Sequence, residues 1–315
     1  MINNLFDVIL KVLPILALIF LGVFMRRGNF LVQGAVGGMK RIVTDIALPS
    51  LLYLAFYRIK PDIRLLVVIA VIFMVCVVMV FIGRLTAMVI GAGSPYFSLL
   101  FGGFETGMLG YAIFPSVFGV DNVQKLALVD LGQVLFVFFV LMTLVTKLRD
   151  GVQSPVDIVK SFISSPVIIA IFLGVITSLT DSILGFTDNG IFQSFLQLLS
   201  LLGNMTAPLI CIVIGYELNI NFNSVLMPLK TILIRTSILL CIAFLINHFL
   251  FIKLLGLDIM YRYALITMFI LPPPFVIPLF MKNEDSADKQ YVLNSLSIGT
   301  VVSLVVFIVI IGLYR

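Results

Sequence analysis

Long apolar stretches separated by short polar connections run along the whole chain. A helix needs about 20 apolar residues to cross a hydrocarbon core of about 30 Å. Stretches of this kind predict ten transmembrane helices, numbered 1 to 10, at residues 5–25, 39–57, 64–90, 94–118, 123–146, 161–180, 194–216, 228–252, 259–281 and 290–313. The pattern therefore predicts an all-α integral membrane protein.

Two of these helices contain sequences that a regular helix does not tolerate. Helix 4 includes GGFETGMLG, residues 102–110, with four glycines and a carboxylate. Helix 9 includes PPPFVIP, residues 272–278, where each proline removes an amide donor and clashes with the preceding turn. Interrupted helices in corresponding places of two halves indicate the substrate site of a secondary transporter, because unwound backbone frees polar groups to face a ligand.

The ten predicted helices divide into two sets of five. The polar linker KLRDGVQSPVDIVK, residues 147–160, separates a first repeat at 1–150 from a second at 151–315. Five helices per half force opposite orientations, which predicts an inverted repeat with broken helices 4 and 9 as a symmetry pair. The segment LPSLLYLAFYRI, residues 48–59, aligns without gaps on APLICIVIGYEL, residues 207–218.

Composition and charge agree with a membrane location. The chain is 61% hydrophobic and 11% charged, far from the roughly 25% charged residues of a soluble domain. The net charge of +5 comes from basic residues in the connections, which indicates membrane topology and not a nucleic-acid partner. The basic cluster after helix 1, Arg26, Arg27, Lys40 and Arg41, predicts a cytoplasmic side there and both termini outside a multi-pass cell-membrane protein.

Signatures of enzymes and metal sites are absent from the sequence. It contains no HExxH, GxSxG or Walker motif, one histidine, and three cysteines that lie singly in apolar spans. We therefore predict that the protein is not an enzyme and uses no cofactor or metal. Its expected partners are the lipid bilayer, a small-molecule substrate and a coupling ion.

Glu105 lies near the middle of helix 4, where an ionised group costs about 3 kcal/mol on insertion scales. Such a group must be protonated, paired or hydrated. The flanking glycines allow the helix to unwind, which would leave free amide donors and a positive dipole near Thr106 and Gly107, favouring an anionic ligand group. The alternative is a helix-packing surface, since Gly103 and Gly107 form a GxxxG motif.

The prolines of helix 9 predict extended backbone that lines a cavity, with a simple kink as the alternative. Phe275 follows them and offers a ring to an apolar part of a ligand. The predicted binding set is Gly103, Glu105, Thr106, Gly107, Met108, Pro272, Pro273, Pro274 and Phe275.

Other polar residues inside the predicted spans are candidates for proton coupling or support. The coupling candidates are Glu105, Asp130 and Asp45, and the supporting residues are Gln133, Arg235, Asn294, Thr300 and Ser303. Asp130 and Gln133 share a helix face through their i,i+3 spacing. Asp45 and Arg235 both lie about 9 Å deep, so they are expected either to form an ion pair or to take part in coupling.

Several segments together resemble the auxin efflux carrier family, which includes plant PIN-FORMED auxin exporters and bacterial malate and malonate carriers. They are ALPSLLY in helix 2, GGFETGMLG in helix 4, VDLGQ in helix 5, TAPL in helix 7, the prolines of helix 9 and IGTVVSL in helix 10. The resemblance implies a scaffold and dimer surface from helices 1, 2, 6 and 7, hence a homodimer. It also implies a moving transport domain from helices 3–5 and 8–10, with helices 4 and 9 crossing at the substrate.

In that family an asparagine often occupies the helix 4 crossover, where this chain has Glu105, and another follows the helix 9 prolines, where this chain has Val276, Ile277 and Pro278. Glu105 would then carry the coupling proton or hold a cationic substrate directly.

The function predicted from these features is secondary active transport of a small organic solute, a carboxylate or other organic anion, coupled to protons by alternating access. The first alternative is sodium-coupled transport on a fold like that of the bile acid symporters. The second is a membrane receptor that binds a solute without moving it.

Overall fold

The computed structural model describes residues 5–57, 62–150, 155–184, 190–281 and 287–313. These residues form helices and no strand. Labels follow the predicted numbering: α1 Leu5–Arg27, α2 33–57, α3 Arg64–Ile90, α4 106–118, α5 120–150, α6 Pro166–Leu184, α7 190–217, α8 226–254, α9 Ile259–Ile270 and α10 Ala287–Leu313. A short helix, Pro155–Ile163, precedes α6.

Length and hydropathy make six of the described helices able to cross a membrane: α1, α3, α5, α7, α8 and α10. The apolar helices α6 and α9 are shorter. Large apolar side chains cover the outer surface, as Val89 and Phe24 illustrate. An all-α membrane protein is therefore confirmed. The predicted extracytoplasmic termini and the boundary between the two repeats fall on residues 1–4, 314–315 and 151–154, which lie outside the described residues.

The predicted interruptions of helices 4 and 9 are both present. In the first, a 3-10 turn at Leu99–Phe101 leads into residues 102–105, which are not helical, before α4 begins. In the second, α9 ends at Ile270 and residues 271–276 are not helical before a 3-10 turn at Ile277–Leu279. Leu271 is extended, with φ −62° and ψ 153°, because a residue before proline is driven out of the helical region. Residues 102–105 and 271–276 are called the first break and the second break.

The helices α1, α2, α6 and α7 pack into what we call the frame, in which α1 lies along α7, and α2 lies along α6 and α7. Small residues permit these contacts. A Cβ on Gly215 would overlap the Ile19 carbonyl, and one on Gly174 would lie 2.7 Å from the Tyr53 carbonyl oxygen. Backbones this close gain dispersion contacts that larger side chains would prevent.

The remaining helices form what we call the inner group, which surrounds the two breaks. α3 packs on α5, α8 packs on α10, and α9 packs against both α5 and α8. α4 joins the two parts because it contacts α1 and α7 of the frame as well as α5. Aromatic rings fill the space near the breaks, and Phe104 stacks on Phe269 with 5.0 Å between ring centroids.

Polar contacts show which helix ends lie on the same side of the molecule. At one end Arg26 donates to the Leu218 carbonyl over 2.7 Å and Lys40 pairs with Glu217. At the other end the contacts are Lys11 with Val117, Arg64 with Leu255 and Lys125 with Asp258. The ends that follow α1 and α7 are thus together, and so are those that follow α4 and α8, as expected of helices that alternate in direction.

Candidate functional site

The first and second breaks touch through their backbones. The Glu105 amide donates to the Pro272 carbonyl over 2.9 Å. Gly103 has φ +76°, and a Cβ there would lie 2.8 Å from Pro274 Cγ. Only glycine meets both conditions without strain, because it adopts positive φ freely and has no side chain to collide with the proline. The two broken segments therefore meet inside the protein, 167 positions apart in sequence.

The Glu105 carboxylate links the two breaks. Its Oε1 accepts the Met108 amide at 3.1 Å, which caps α4, and its Oε2 accepts the Phe275 amide at 2.5 Å. The side chain is only 8% exposed. The sequence predicts free amide donors at the start of α4, but Glu105 itself binds the Met108 donor. A ligand anion would have to displace this carboxylate.

Arg235 of α8 binds backbone carbonyl groups at the two breaks, whereas Glu105 binds backbone amides. Its guanidinium donates from Nη1 to the Leu271 carbonyl at 2.7 Å and from Nη2 to the Gly103 carbonyl at 2.6 Å. It is fully buried, and its Cζ lies 5.3 Å from the centroid of the Phe104 ring. The carbonyl end of α9 carries partial negative charge, so a cation is favourable there.

The predicted pairing of Asp45 with Arg235 is wrong. Asp45 lies exposed on a π-helical turn of α2, where it accepts the Thr44 hydroxyl at 2.8 Å. Arg235 instead faces the breaks, where carbonyl oxygens accept from its Nη1 and Nη2, while its Nε is buried without a hydrogen-bond partner among the described residues. Similar depth in the membrane did not imply contact, because α2 turns this carboxylate outward.

Asp130 and Gln133 share a face of α5, as predicted, and both face α4 and the first break. The Asp130 carboxylate accepts the Tyr111 hydroxyl at 3.1 Å, while Gln133 Oε1 accepts the Phe104 amide at 3.3 Å. Thr106 also lies beside Asp130. Neither the Thr106 hydroxyl nor Asp130 Oδ1 has a hydrogen-bond partner within 3.5 Å among the described residues. Asp130 is close enough to Glu105 for the two carboxyl groups to interact electrostatically.

Of the predicted supporting residues on α10, only Ser303 makes a hydrogen bond next to a break. Its hydroxyl contacts the Ile270 carbonyl at 2.5 Å, next to the second break. Thr300 donates to the Leu296 carbonyl of its own helix at 2.9 Å. Asn294 donates to the Asn221 carbonyl at 3.0 Å and so holds the connection between α7 and α8.

The remaining predicted binding residues lie at the breaks with different exposure. Pro272, Pro273 and Pro274 are buried, and Phe275 is partly exposed. Gly107 lies inside α4, whereas Gly103 precedes it, so a helix-packing GxxxG face is not formed. Among the described residues outside its own helix backbone, a Cβ on Gly107 would meet only Glu105 Oε1, at 3.7 Å, which leaves space beside the carboxylate.

Two residues of the site were not predicted from the sequence. Tyr111 donates to Asp130, and Phe104 carries the Arg235 guanidinium over its ring. Both lie within or next to GGFETGMLG, so their closeness to Glu105 in sequence was an available signal. Neither a protein-family model nor a curated protein matches this chain. Function is therefore inferred from the geometry of the breaks.

Proposed function

We propose that this protein is a secondary active transporter of a small organic anion, a carboxylate, coupled to protons by alternating access. The contact between the first and second breaks carries the proposal. Non-helical backbone at membrane depth is tolerated only where it is buried in protein or lines an aqueous cavity. Two such segments in contact, with a buried carboxylate between them, are typical of a solute site in a transporter.

Proton coupling is assigned to Glu105 because its ionised form holds the breaks together. A carboxylate accepts both the Met108 and Phe275 amides, whereas a protonated carboxyl group is a weaker acceptor and adds a donor of its own. Proton uptake would therefore loosen this bridge. Asp130, which lies close by and accepts from Tyr111, is the second candidate carrier.

A carboxylate substrate fits the same donors. The Met108 and Phe275 amides already hold one carboxylate, that of Glu105. Once a proton has reduced the hold of Glu105, a substrate carboxylate would replace it without leaving either amide unpaired. Anion and proton would then enter together, so the charge of the site changes little during transport.

The helix contacts support a repeat of five plus five. In such a repeat α1 corresponds to α6 and α2 to α7, so the contact of α1 with α7 corresponds to that of α6 with α2, and both occur. The contact of α3 with α5 likewise corresponds to that of α8 with α10. We propose that the frame is the static scaffold, that the inner group moves, and that the architecture is that of the auxin efflux carriers.

The test is uptake by purified protein in proteoliposomes, with labelled malate and malonate as carboxylate probes and a labelled quaternary ammonium as the cationic probe. Imposed pH gradients with and without sodium separate the two coupling ions. For one proton per anion charge moved, each pH unit supports up to about tenfold accumulation, because one unit is about 1.4 kcal/mol. The Glu105→Gln variant keeps the side-chain size but should lose this pH response or all uptake.

Asp157→Asn serves as the matched control, since Asp157 is an exposed carboxylate on the helix before α6, and it should leave uptake unchanged. A pH response that persists in Glu105→Gln would remove the proton role from Glu105. Uptake driven by sodium alone would favour the sodium-coupled alternative. Binding without uptake or counterflow would favour a receptor.

A further inference from the structure

Arg235 and Glu105 hold the same pair of segments from opposite sides. Arg235 binds one carbonyl of each break, at Gly103 and Leu271. Glu105, a residue of the first break, accepts the Phe275 amide of the second break and the Met108 amide at the start of α4. No described carboxylate lies within 4.0 Å of the Arg235 guanidinium. Its hydrogen bonds through Nη1 and Nη2 thus go to backbone carbonyls.

We call the hydrogen bonds of Arg235 and those of the Glu105 carboxylate the two ties between the breaks. We propose that Arg235 is a positioning residue whose tie persists and keeps the breaks in register when a proton releases the Glu105 tie. The inference goes beyond the proposed transport activity but rests on the protonation of Glu105 proposed above; hydrogen exchange tests it separately from uptake. Guanidinium is suited to this role because it stays protonated and presents donors in a fixed fork. A carboxylate, in contrast, loses acceptor strength on protonation.

The two ties respond differently to pH. The Glu105 bridge is present while the carboxylate is ionised and weakens as pH falls through its titration, whereas the Arg235 bonds persist. Among the described residues, the charged groups that act on Glu105 are Lys40 of α2 and Asp130 of α5. Further titratable groups face the neighbours of Glu105: Tyr111 of α4 donates to Asp130, and Cys76 of α3 and Arg235 of α8 lie at Gly103. With both ties present, the contact between the breaks should depend little on pH. Without Arg235 it should become sensitive to acid.

Hydrogen exchange of the purified full-length protein tests this, read at peptides covering residues 102–110 and 271–277 from about pH 5 to about pH 9 after correction for intrinsic rates. In Arg235→Met, exchange at both segments should become faster by about tenfold or more at the acid end. Peptides from α1 and α7 should be unchanged at every pH. Arg235→Lys, which keeps the charge but not the fork, should lie between Arg235→Met and the native protein.

A double variant makes the assignment specific. Glu105→Gln in the Arg235→Met background should remove the pH dependence and leave both segments exchanging fast throughout. Arg84→Met is the matched control, because Arg84 lies over the Phe81 ring at 5.7 Å but is exposed, and it should exchange like the native protein. If Arg235→Met does not fold, Arg235→Lys carries the same comparison. The proposal is wrong if protection of the two segments in the Arg235 variants matches the native protein at acid pH, or if the acid sensitivity persists without Glu105.

Discussion

At the scale of single residues, the breaks are built by matching charge to backbone polarity. The carboxylate binds amides, which carry partial positive charge, and the guanidinium binds carbonyls, which carry partial negative charge. Each charged group is therefore stabilised by the peptide dipole that it contacts. Hydrogen bonds to charged groups contribute about 1.5–3 kcal/mol each. Four of them, made by Glu105 and Arg235, offset part of the cost of burying these groups in a membrane protein.

Gly103→Ala should destabilise the protein by about 3 kcal/mol. The added Cβ would carry the penalty of a positive φ and lie 2.8 Å from Pro274 Cγ, and overpacking of this kind costs about 1–3 kcal/mol. Thermal unfolding of the detergent-purified variant measures the loss.

Gly91→Ala separates the two causes. Gly91 also has positive φ, at +66°, but among the described residues no atom beyond its own chain neighbours lies within 4 Å of its ideal Cβ. Its substitution should cost only the penalty of holding a residue with a Cβ at positive φ, about 1–2 kcal/mol. Equal losses at the two positions would show that contact with Pro274 does not matter.

Sequence reasoning identified Glu105 and the prolines but not the partner of Arg235. Glu105 and the prolines are local features of the sequence. A carboxylate among glycines and three consecutive prolines can be recognised without knowledge of the fold. The partners of Arg235 are carbonyls 132 and 36 positions away. Every residue has a carbonyl, so residue types carry no signal for such a contact, and a search among carboxylates led to Asp45 instead.

At the scale of elements, the two broken segments differ in shape. The first has a single 3-10 turn before its break and a helix of residues 106–118 after it, whereas the second has the helix α9 before its break and a 3-10 turn after it. The prolines explain where α9 ends, and the glycines explain where α4 can begin. Packing in the inner group determines which side of each break carries the longer helix. The apolar pattern of the sequence does not encode that packing.

Contacts between helices of the frame should be sensitive to side-chain size. Gly215→Ala places a methyl group on the Ile19 carbonyl, so α1 and α7 must separate, at about 1–3 kcal/mol. Thermal unfolding should show a clear loss. Gly37→Ala in α2 should be neutral or stabilising by up to about 1 kcal/mol, since alanine favours helix; no described atom outside the backbone of α2 lies within 4 Å of the ideal Cβ at this position. A neutral result at Gly215 would mean that the helices separate at little cost.

At the scale of the whole molecule, hydropathy predicts the membrane class and the approximate positions of the helices. The predicted spans agree with the described helices to within a few residues at most ends, because twenty or so apolar residues in a row have few alternatives to a membrane helix. The predicted span at 39–57 begins within a helix that starts at residue 33. The first turns of this helix contain Gly34, Gly37, Gly38 and Lys40. These residues lower the hydropathy of the segment without preventing helix formation.

The predicted orientation is open to a direct test. Phe30 follows α1 and Val120 begins α5, both exposed and on opposite sides by the alternation of helices. In a background lacking Cys76, Cys211 and Cys241, we expect Val120→Cys to react with a membrane-impermeant maleimide in intact cells, whereas Phe30→Cys should react only after permeabilisation. The reverse pattern would place the connection after α1 outside.

The glycine contacts of the frame also bear on how the protein responds to its lipid. Because Gly22 and Gly215 bring the backbones of α1 and α7 into contact, these helices cannot slide or change their relative tilt without a steric clash. In a bilayer thicker or thinner than the frame, these helices adapt only by tilting together as one body, or the lipid stretches or compresses around them. A change in bilayer thickness should therefore leave the packing of α1 on α7 intact and change the orientation of the pair as a whole.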